Sequence, residues 1–505
     1  MLKEIPAGDK DKIISLLQSN KLQDISTAYQ FLLSIYRGES GQKVAFLHDL
    51  LEKIRPGIYK AYNEAFQSYI TDMTRTVRKR QKGQGSIPTL RKAFHWSFDF
   101  GPVFDNGGFD VVIGNPPYIE DGDYSKSDLE IIRSLSIRGE NNKKEKKKRT
   151  PLIYSSYECG NTHAYFIERG MNLLKSSGKF GFIVPISLVS TDRMAQIREV
   201  IHGSSSEVYY YNFDDRPGKI FSGIEDCRST IVITKKGEGV TKVNTSRYNR
   251  WYTEDRPTLF NDMLTVEFKL DDKRHIIPKI GSKVELEILR KLNRQSGGKQ
   301  LGQFLGQGEK VWYHNAPRYW IHAHTENSVP KVEYYSDYRV NDKTKETILG
   351  KVGKEETTSQ YKFEKIDNPL SPILISLLNS TIFYWWFVIW SDGRHLLSDH
   401  IRSFPFDPTK VDKETGRRLT KLVKELMNDY ELNANIKVNV RKGGEYAIKI
   451  REIIPKKSYE IIKVIDENIV KIFNLNKDES EFITSFDLRF RMGNKDKEQT
   501  QLSED

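Results

Sequence analysis

A strand-forming run that ends in a rigid turn constrains this chain more than any other feature. The run Phe109–Gly114 reads Phe-Asp-Val-Val-Ile-Gly, and it is followed directly by Asn115, Pro116, Pro117 and Tyr118. Proline fixes its φ angle and has no N–H to donate, so a central strand does not continue through two prolines. The sequence therefore predicts a buried strand that stops at its glycine and presents an amide and an aromatic ring beyond its carboxyl end.

The surrounding residues, 93–240, alternate predicted strands and helices. The strands are expected at 109–113, 180–184 and 229–234, and the helices at 161–177 and 191–201. Such alternation is typical of an α/β fold with a mostly parallel sheet that helices cover on both faces. In such sheets ligands bind beyond the carboxyl ends of strands, so Asn115 and Pro185 are expected to border a binding site.

The turn suits the capture of an exocyclic amine on a flipped nucleobase. The N6 amine of adenine is a poor nucleophile because its lone pair is delocalised into the ring. The side-chain carbonyl of Asn115 and the backbone carbonyl of Pro116 can accept both amine hydrogens and localise that pair, while Tyr118 offers a stacking face. A proline-rich turn after a strand is the alternative, which accounts for the prolines but not for the Asn and Tyr.

This segment resembles the amino-methyltransferase signature of DNA adenine methyltransferases. From about residue 93 to 505, the chain is similar to the methyltransferase–specificity half of type IIG restriction–modification enzymes. The resemblance implies transfer of a methyl group from S-adenosylmethionine to adenine N6, with Asn115, Pro116, Pro117 and Tyr118 as catalytic residues. It also implies that Phe221 stacks on the flipped base opposite Tyr118, although a core Phe in a glycine-flanked turn is the alternative.

A second implied element precedes the turn. Residues 94–100 read as a short alternating strand, and Asp99 with Phe100 looks like the acidic–aromatic pair that contacts the adenine of S-adenosylmethionine in related enzymes. Asp99 would accept from the adenine amine and Phe100 would pack on the ring. An ordinary strand terminus is the alternative.

The expected fold class is α/β, with four regions. A helical region, 1–92, precedes a partial Rossmann-like methyltransferase sheet at 93–240, an α+β target-recognition domain at 241–410 and a helical C-terminal module at 411–505. Aromatic and basic residues interleave at 247–252 and 311–320. This pattern suits contacts with phosphates and base edges, and it equally suits a small aromatic core.

The formal net charge of +12 fits double-stranded DNA as a partner. The basic insertion 141–149 is interpreted as a mobile loop or as a contact with DNA phosphates. Two cysteines and an N-terminus without a signal peptide predict a reducing, cytoplasmic location. The apolar stretch 373–390 is interrupted by polar residues, which favours a buried helix or strand–helix pair over a membrane span.

No metal site is predicted, because none of five histidines inspected has metal-ligand spacing, and they are interpreted as structural or DNA-facing: His95, His163, His314, His395 and His400. Both cysteines are expected to be buried apolar residues.

The glycine-rich cofactor loop of the family, close to D-P-A-C-G-S-G, is not found in the sequence, and a nuclease half is not evident. Two explanations are open: a partner chain encoded upstream supplies the loop, or the reading frame is an inactive remnant. Three rival functions also remain. They are a cytosine-N4 methyltransferase, a non-catalytic DNA-binding specificity subunit, and an RNA or protein methyltransferase that acts on a planar amide.

Overall fold

The protein is described here by a computed structural model. From residue 96 to 493 it describes the chain except for 124–135, 139–148, 152–154, 222–226, 262, 270–275, 342–345 and 442–444. Before residue 96 it describes only 56–57, 59–60, 63–64 and 68. Most of the predicted helical region 1–92, His95 and most of the basic insertion 141–149 therefore lie outside the described residues.

The chain forms two compact units. The first comprises residues 1–184, 193–208 and 232–242, and the second comprises residues 185–192, 209–231 and 243–505. Up to residue 236, the helices are α1 (Trp96–Asp99), α2 (Gly101–Asp105), α3 (Thr162–Leu173), α4 (Ser187–Ser190) and α5 (Ala195–Gly203), and the strands are β1 (Phe109–Gly114), β2 (Ser136–Arg138), β3 (Arg149–Pro151), β4 (Leu174–Pro185), β5 (Ser205–Phe213) and β6 (Ser229–Lys236).

The remaining elements follow from residue 242. The helices are α6 (Lys283–Ser296), α7 (Ser371–Asn379), α8 (Thr381–Trp390), α9 (Ser398–Arg402), α10 (Lys413–Asn433), α11 (Tyr459–Ile472), α12 (Lys477–Thr484) and α13 (Leu488–Arg491). The strands are β7 (Lys242–Asn249), β8 (Thr265–Glu267), β9 (Leu305–His314), β10 (Ala323–His324), β11 (Val332–Tyr335), β12 (Tyr338–Val340), β13 (Thr347–Leu349), β14 (Lys354–Glu356), β15 (Tyr361–Ile366), β16 (Asn435–Val440) and β17 (Ala447–Glu452).

The fold is mixed α/β with a mixed sheet. Within the first unit the hydrogen-bonded strand order is β1-β4-β6-β5, and β1 pairs with β4 in parallel, with Val112 opposite Phe180. Within the second unit the order is β6-β5-β7-β8, and β7 pairs with β8 antiparallel. The expected strands at 109–113, 180–184 and 229–234 all lie in this sheet.

The first strand is not buried on both faces as predicted. Val111 and Ile113 are 56% and 82% exposed, whereas Val112 points towards Gly170 of α3 and is half-buried. Side chains alternate between the two faces of a strand, so one covered face leaves every second residue in solvent. An unbroken apolar run cannot distinguish this one-sided arrangement from full burial.

The helix predicted at 161–177 is shorter than expected. It ends at Leu173, and Leu174 already begins β4. The end of this helix lies close to the backbone of Gly108 (φ +117°). Only glycine fits there, because a Cβ would lie 2.6 Å from the carbonyl oxygen of Leu173. The loop before β1 therefore packs against the helix end.

In the second unit the apolar stretch 373–390 forms the helices α7 and α8, and each of its residues is buried. The break lies at Ser380, whose hydroxyl accepts from the N–H of Phe383 and begins the second helix. In the described part of the chain no single helix is long and apolar enough to span a bilayer. The helix pair Asn368–Asn379 and Thr381–Trp390 is long and apolar enough when taken together, but it is bent by 65° at the break.

The expected helical module at 411–505 also contains an antiparallel hairpin. Strands β16 and β17 pair along their length, and β17 pairs with β11, with Val332 opposite Ile450. The alternation of apolar residues at Ile436, Val438 and Val440 is a strand signal that the predicted helices on either side obscured.

A buried ionic network lies in the second unit. The Nε of Arg250 donates to Asp214 at 2.6 Å, and one of its Nη atoms pairs with Asp487 and donates to Tyr384 at 2.9 Å. Burial alone raises the pKa of Asp214, but the charges of Arg250 and Arg228 hold it below its usual range. The network therefore consists of charged groups that neutralise one another away from water.

Three histidines pack together in the second unit. The ring of His314 stacks on that of His322 at 5.2 Å, and the Nδ1 of His322 lies 2.8 Å from the Nε2 of His324. Burial lowers the pKa of all three, that of His324 to about 3. The imidazoles are therefore neutral at neutral pH, and the half-buried His314 belongs to this ring cluster.

We expect acid to destabilise the second unit through this cluster. An unfolded imidazole binds a proton near pH 6.5, whereas His324 in the fold does so only at about pH 3. Between these values the unfolded state binds more protons, so the free energy of unfolding falls as pH falls. Urea midpoints at pH 7.5 and 5 measure the effect. His324→Gln should show a smaller difference between the two pH values, and an unchanged difference would contradict the assignment.

Candidate active site

The Asn115 turn lies beyond the carboxyl ends of two adjacent parallel strands. Strand β1 ends at Gly114, and the hydroxyl of Tyr118 donates to the carbonyl of Ile183, near the end of β4, at 2.9 Å. The same hydroxyl lies 2.6 Å from the side-chain carbonyl oxygen of Asn115. A phenol has one proton, so it donates to only one of these acceptors at a time. When it donates to Ile183, the Asn115 oxygen can accept from another group.

Thr162, which sequence reasoning did not single out, holds the turn in place. Its hydroxyl donates to the carbonyl of Pro117 at 2.6 Å and accepts from the N–H of Ile119 at 2.9 Å. Its own N–H donates to the carbonyl of Ile119 at 2.9 Å. The preceding Asn161 caps α3 through the N–H of His163. The first turn of this helix therefore positions the residues that follow Asn115.

His163 lies beneath the turn as a neutral ring. It is fully buried, and its ring meets that of Tyr118 edge to face at 6.4 Å. Burial, supported by the nearby charge of Arg193, lowers its pKa to about 4. His163 is thus structural rather than exposed to a DNA partner.

Asp99 and Phe100 do not lie at a strand end. Residues 96–99 form α1, and the ring of Phe100 stacks on Trp96 at 5.7 Å and meets Phe109 at 5.3 Å. The aromatic residues that suggested alternation also recur at helical spacing, and packing on Phe109 favours the helix. The Asp99 carboxylate accepts a hydrogen bond from Tyr59.

This placement puts Asp99 and Phe100 at the amino end of β1. Asn115 lies beyond the other end of the six-residue strand, which is about 20 Å away because strand residues advance about 3.3 Å each. The pair therefore does not border the Asn115 turn in this arrangement.

Phe221, the other expected stacking residue, belongs to the second unit, whereas Tyr118 belongs to the first. It is half-buried. The two carbonyls before it, those of Lys219 and Ile220, accept from Arg256 at 2.9 and 3.0 Å. The loop that presents Phe221 is thus held by backbone contacts that no local sequence pattern indicates.

In the described part of the chain, no group of three or more His, Cys, Asp or Glu side chains is arranged to hold a metal ion. Cys159 is fully buried, and burial raises the pKa of its thiol to about 11. Cys227 is only half-buried, so the expectation of two buried cysteines is correct for Cys159 alone.

The two aromatic–basic runs differ in their surroundings. In the first run, Tyr248, Arg250 and Trp251 are buried, which supports the aromatic-core interpretation there. In the second run, Trp312 lines a cleft of about 680 Å³ along β15. Its ring lies 4.9 Å from that of Phe363, which is 42% exposed.

Lysines lie beside the exposed ring of Phe363 at this cleft. The Nζ of Lys310 lies 5.5 Å from the ring centre of Phe363, and Lys362 and Lys365 are exposed. The buried carboxylate of Glu364 pairs with Arg402 at 2.6 Å. Exposed lysines beside exposed rings can contact a phosphate backbone and bases together.

Residues 25–221 match the model of the Eco57I restriction–modification methylase family. This range includes the Asn115 turn and ends at Phe221.

Two curated relatives share part of the chain. A protein of Methanocaldococcus jannaschii, provisionally named as a type II restriction enzyme and methyltransferase, is 29% identical over 224 residues, which are 43% of this chain and 17% of that protein. A type II methyltransferase of Thermus thermophilus is 27% identical over 146 residues, which are 29% of this chain and 30% of that protein. The matched parts thus span less than a third of either relative.

Among solved structures, the type IIL restriction–modification enzyme MmeI in complex with DNA is 9% identical, with a TM-score of 0.38, over 82% of this chain and 62% of that chain. The type IIG restriction endonuclease BpuSI is also 9% identical, with a TM-score of 0.25, over 75% of this chain and 54% of that chain.

Proposed function

We propose that this chain, whose residues 25–221 contain an Eco57I restriction–modification methylase domain, transfers a methyl group from S-adenosylmethionine to N6 of an adenine extruded from double-stranded DNA. The observation that carries the proposal is the Asn115–Tyr118 contact at the carboxyl ends of β1 and β4. There a carbonyl acceptor and an aromatic face are presented side by side, on a turn that Thr162 holds rigid.

The residues would act as follows. Tyr118 turns its proton to the Ile183 carbonyl, and the oxygen of Asn115 accepts one hydrogen of the adenine amine. The Pro116 carbonyl accepts the other, which localises the nitrogen lone pair for attack on the methyl carbon. Pro117 keeps the turn rigid. Tyr118 and Phe221 stack on the base and offset part of the cost of extrusion.

When bound, S-adenosylmethionine would supply an electrophilic methyl group, whose bond to sulfur breaks as the bond to N6 forms, and the surplus N6 proton would pass to water. The resemblance implies that Asp99 and Phe100 contact its adenine ring, but Phe100 packs on Phe109 at the amino end of β1, away from the Asn115 turn. No step is therefore assigned to them, and we propose that a partner chain supplies the cofactor loop.

We expect the isolated chain to bind S-adenosylmethionine weakly, because the glycine-rich loop that the family uses for this cofactor is not found in the sequence. Calorimetric titration of the full chain measures this, with and without the product of any neighbouring upstream gene. Saturable micromolar binding by the chain alone would contradict the proposed division of the pocket.

Transfer of tritiated methyl groups to duplex DNA, followed by nucleoside analysis, tests the function itself. N6-methyladenine is the expected product, and N4-methylcytosine would identify the rival base. No labelled nucleoside, with every neighbouring gene product supplied, would overturn the proposal.

Replacing Tyr118 separates stacking from hydrogen bonding. Tyr118→Ala is expected to lower the transfer rate about 10- to 100-fold, because base–aromatic stacking contributes about 1–3 kcal/mol. Tyr118→Phe keeps the stacking face and should lower the rate less than about tenfold. Initial rates at saturating DNA give the comparison, and equal losses in the two variants would show that the hydroxyl, not the ring, carries the role.

A non-catalytic DNA-reading subunit is the second candidate function. The basic aromatic cleft along β15 favours it, since this surface suits DNA whether or not methylation occurs. A protein that binds DNA equally well with and without an intact Asn115, and never methylates it, would fit this alternative.

A further inference from the structure

The loop that presents Phe221, residues 214–221, is fastened at its backbone. The N–H of Gly218 donates to the carbonyl of Trp251 at 2.7 Å, and a Cβ at Gly218 would lie only 2.4 Å from the indole nitrogen of Trp251. Arg256 donates to the carbonyls of Lys219 and Ile220. The direction in which Phe221 leaves the loop therefore depends on where Arg256 lies.

Arg256 is itself positioned by a short 3₁₀-helix, Thr253–Thr258. The N–H of Tyr252 donates to the carboxylate of Asp255 at 2.9 Å and closes the first turn of this helix. This bond and the guanidinium of Arg489 lower the pKa of Asp255. The helix thus begins at a carboxylate that holds charge throughout the neutral range.

Two residues of α13, Arg489 and Phe490, contact the start of this 3₁₀-helix, and we call them the C-terminal clasp. Arg489 pairs with Asp255 at 3.1 Å, and its guanidinium carbon lies 5.0 Å from the ring centre of Tyr252. The Tyr252 hydroxyl donates to the carbonyl of Arg489 at 3.2 Å, and the rings of Tyr252 and Phe490 lie 5.3 Å apart. An ion pair, a cation–π contact, a hydrogen bond and a ring contact therefore join the end of the described chain to the start of the helix that carries Arg256.

We infer that the C-terminal clasp is a positioning element for the Phe221 loop, acting through Asp255 and Arg256. This inference rests on the proposed function for the role of Phe221 as the second stacking ring. The contacts run from Arg489 to Asp255, along one short helix to Arg256, and from Arg256 to the two peptide carbonyls before Phe221. A residue near the end of the described chain thereby sets the orientation of a ring more than 260 positions earlier.

The peptide bond after Lys219 offers a direct measure of the loop. Its carbonyl is the one that Arg256 holds, and trypsin cleaves there only when that carbonyl leaves the contact. Reversing the charge at Arg489 places two like charges together, so Arg489→Glu should raise the rate of cleavage after Lys219 about fivefold. Arg256→Gln, which removes both donors, should raise it further, and Arg489→Lys should restore it towards the wild-type rate.

Arg451→Glu is the matched control, because Arg451 forms an exposed ion pair with Glu431 at 3.1 Å elsewhere in the same unit. Cleavage after Lys219, identified by mass spectrometry on the full chain, should not change in this variant. If Arg256→Gln accelerates cleavage and Arg489→Glu does not, the clasp has no hold on the loop and the inference is overturned. The same conclusion follows if neither variant accelerates cleavage, or if Arg451→Glu accelerates it equally.

The effect on base stacking is measured by the fluorescence of DNA that carries 2-aminopurine at the target base. A flipped base stacked between two rings is quenched, so Arg489→Glu should raise its emission and lower kcat for methyl transfer, with KM for DNA unchanged. Accelerated cleavage with unchanged emission and kcat would overturn the role in base stacking. If the wild-type protein with its partner does not methylate DNA at all, the proposed function fails, while the proteolysis result still decides whether the clasp holds the loop.

Discussion

Asn115→Ala is expected to lower the methyl-transfer rate at least about 100-fold, because removing one preorganised dipole at a reacting centre typically costs that much. The variant loses the acceptor that makes the amine nitrogen more nucleophilic, and it also loses a hydrogen-bond partner of the Tyr118 hydroxyl. Asn115 is exposed, so the fold should not change. Single-turnover transfer of tritiated methyl groups, with any upstream partner supplied, measures the loss.

DNA affinity, followed by fluorescence anisotropy, should be the same in Asn115→Ala as in the wild type. Asn106→Ala is the matched control, since Asn106 is also exposed, lies in the same unit and donates to the carbonyl of Pro102 at 2.7 Å. It should retain the wild-type rate. Full activity of Asn115→Ala would show that the turn takes no part in the chemistry, and loss of DNA binding would show that Asn115 contributes to DNA affinity rather than to the transfer step.

The largest effect on stability is expected from Arg250→Met. The Arg250 side chain is 1% exposed and lies between the carboxylates of Asp214 and Asp487. Methionine preserves much of the volume but removes the guanidinium that the two carboxylates share and leaves Asp214 paired only with Arg228 at 3.3 Å, which should lower the free energy of unfolding by about 3–5 kcal/mol. Urea denaturation followed by tryptophan fluorescence measures the change, since Trp251 lies next in the chain.

Arg290→Met provides the comparison for the same chemical change. Arg290 pairs with Glu287 on an exposed helix face, where the side chains are 65% and 47% accessible. Such pairs contribute about 0–1 kcal/mol, so the urea midpoint should barely move. Equal losses in the two variants would mean that burial of the Asp214–Arg250–Asp487 network does not determine its contribution.

Local pattern was informative where one short segment dictates its own geometry. The strand β1 and the stop at Asn115 follow from apolar residues and prolines that no alternative conformation suits. The same reasoning failed at residues 96–100, because aromatic residues there satisfy both a two-residue and a four-residue spacing. Contact with Phe109 resolved that ambiguity in favour of the helix.

The side chains that hold the candidate site in place could not be predicted from local sequence pattern. Thr162 reads as an ordinary residue at a helix start, and Arg256 as one of many arginines. Their roles depend on backbone groups more than 35 positions away in the sequence, and nothing local specifies which carbonyl a side chain will meet. The hairpin of β16 and β17 was missed for the opposite reason, since its signal was present between stronger helical patterns.

From the residues alone, therefore, came the turn at Asn115, the α/β character and the expectation of a polyanionic partner, because proline geometry, apolar periodicity and net charge are properties of the chain itself. The tertiary structure alone established which face of β1 is covered and which two acceptors, Asn115 and Ile183, lie within reach of the Tyr118 hydroxyl. It also established that Arg489 pairs with Asp255, next to the arginine that holds the Phe221 loop. These are contacts between distant segments, and burial and hydrogen-bond geometry arise only when those segments meet.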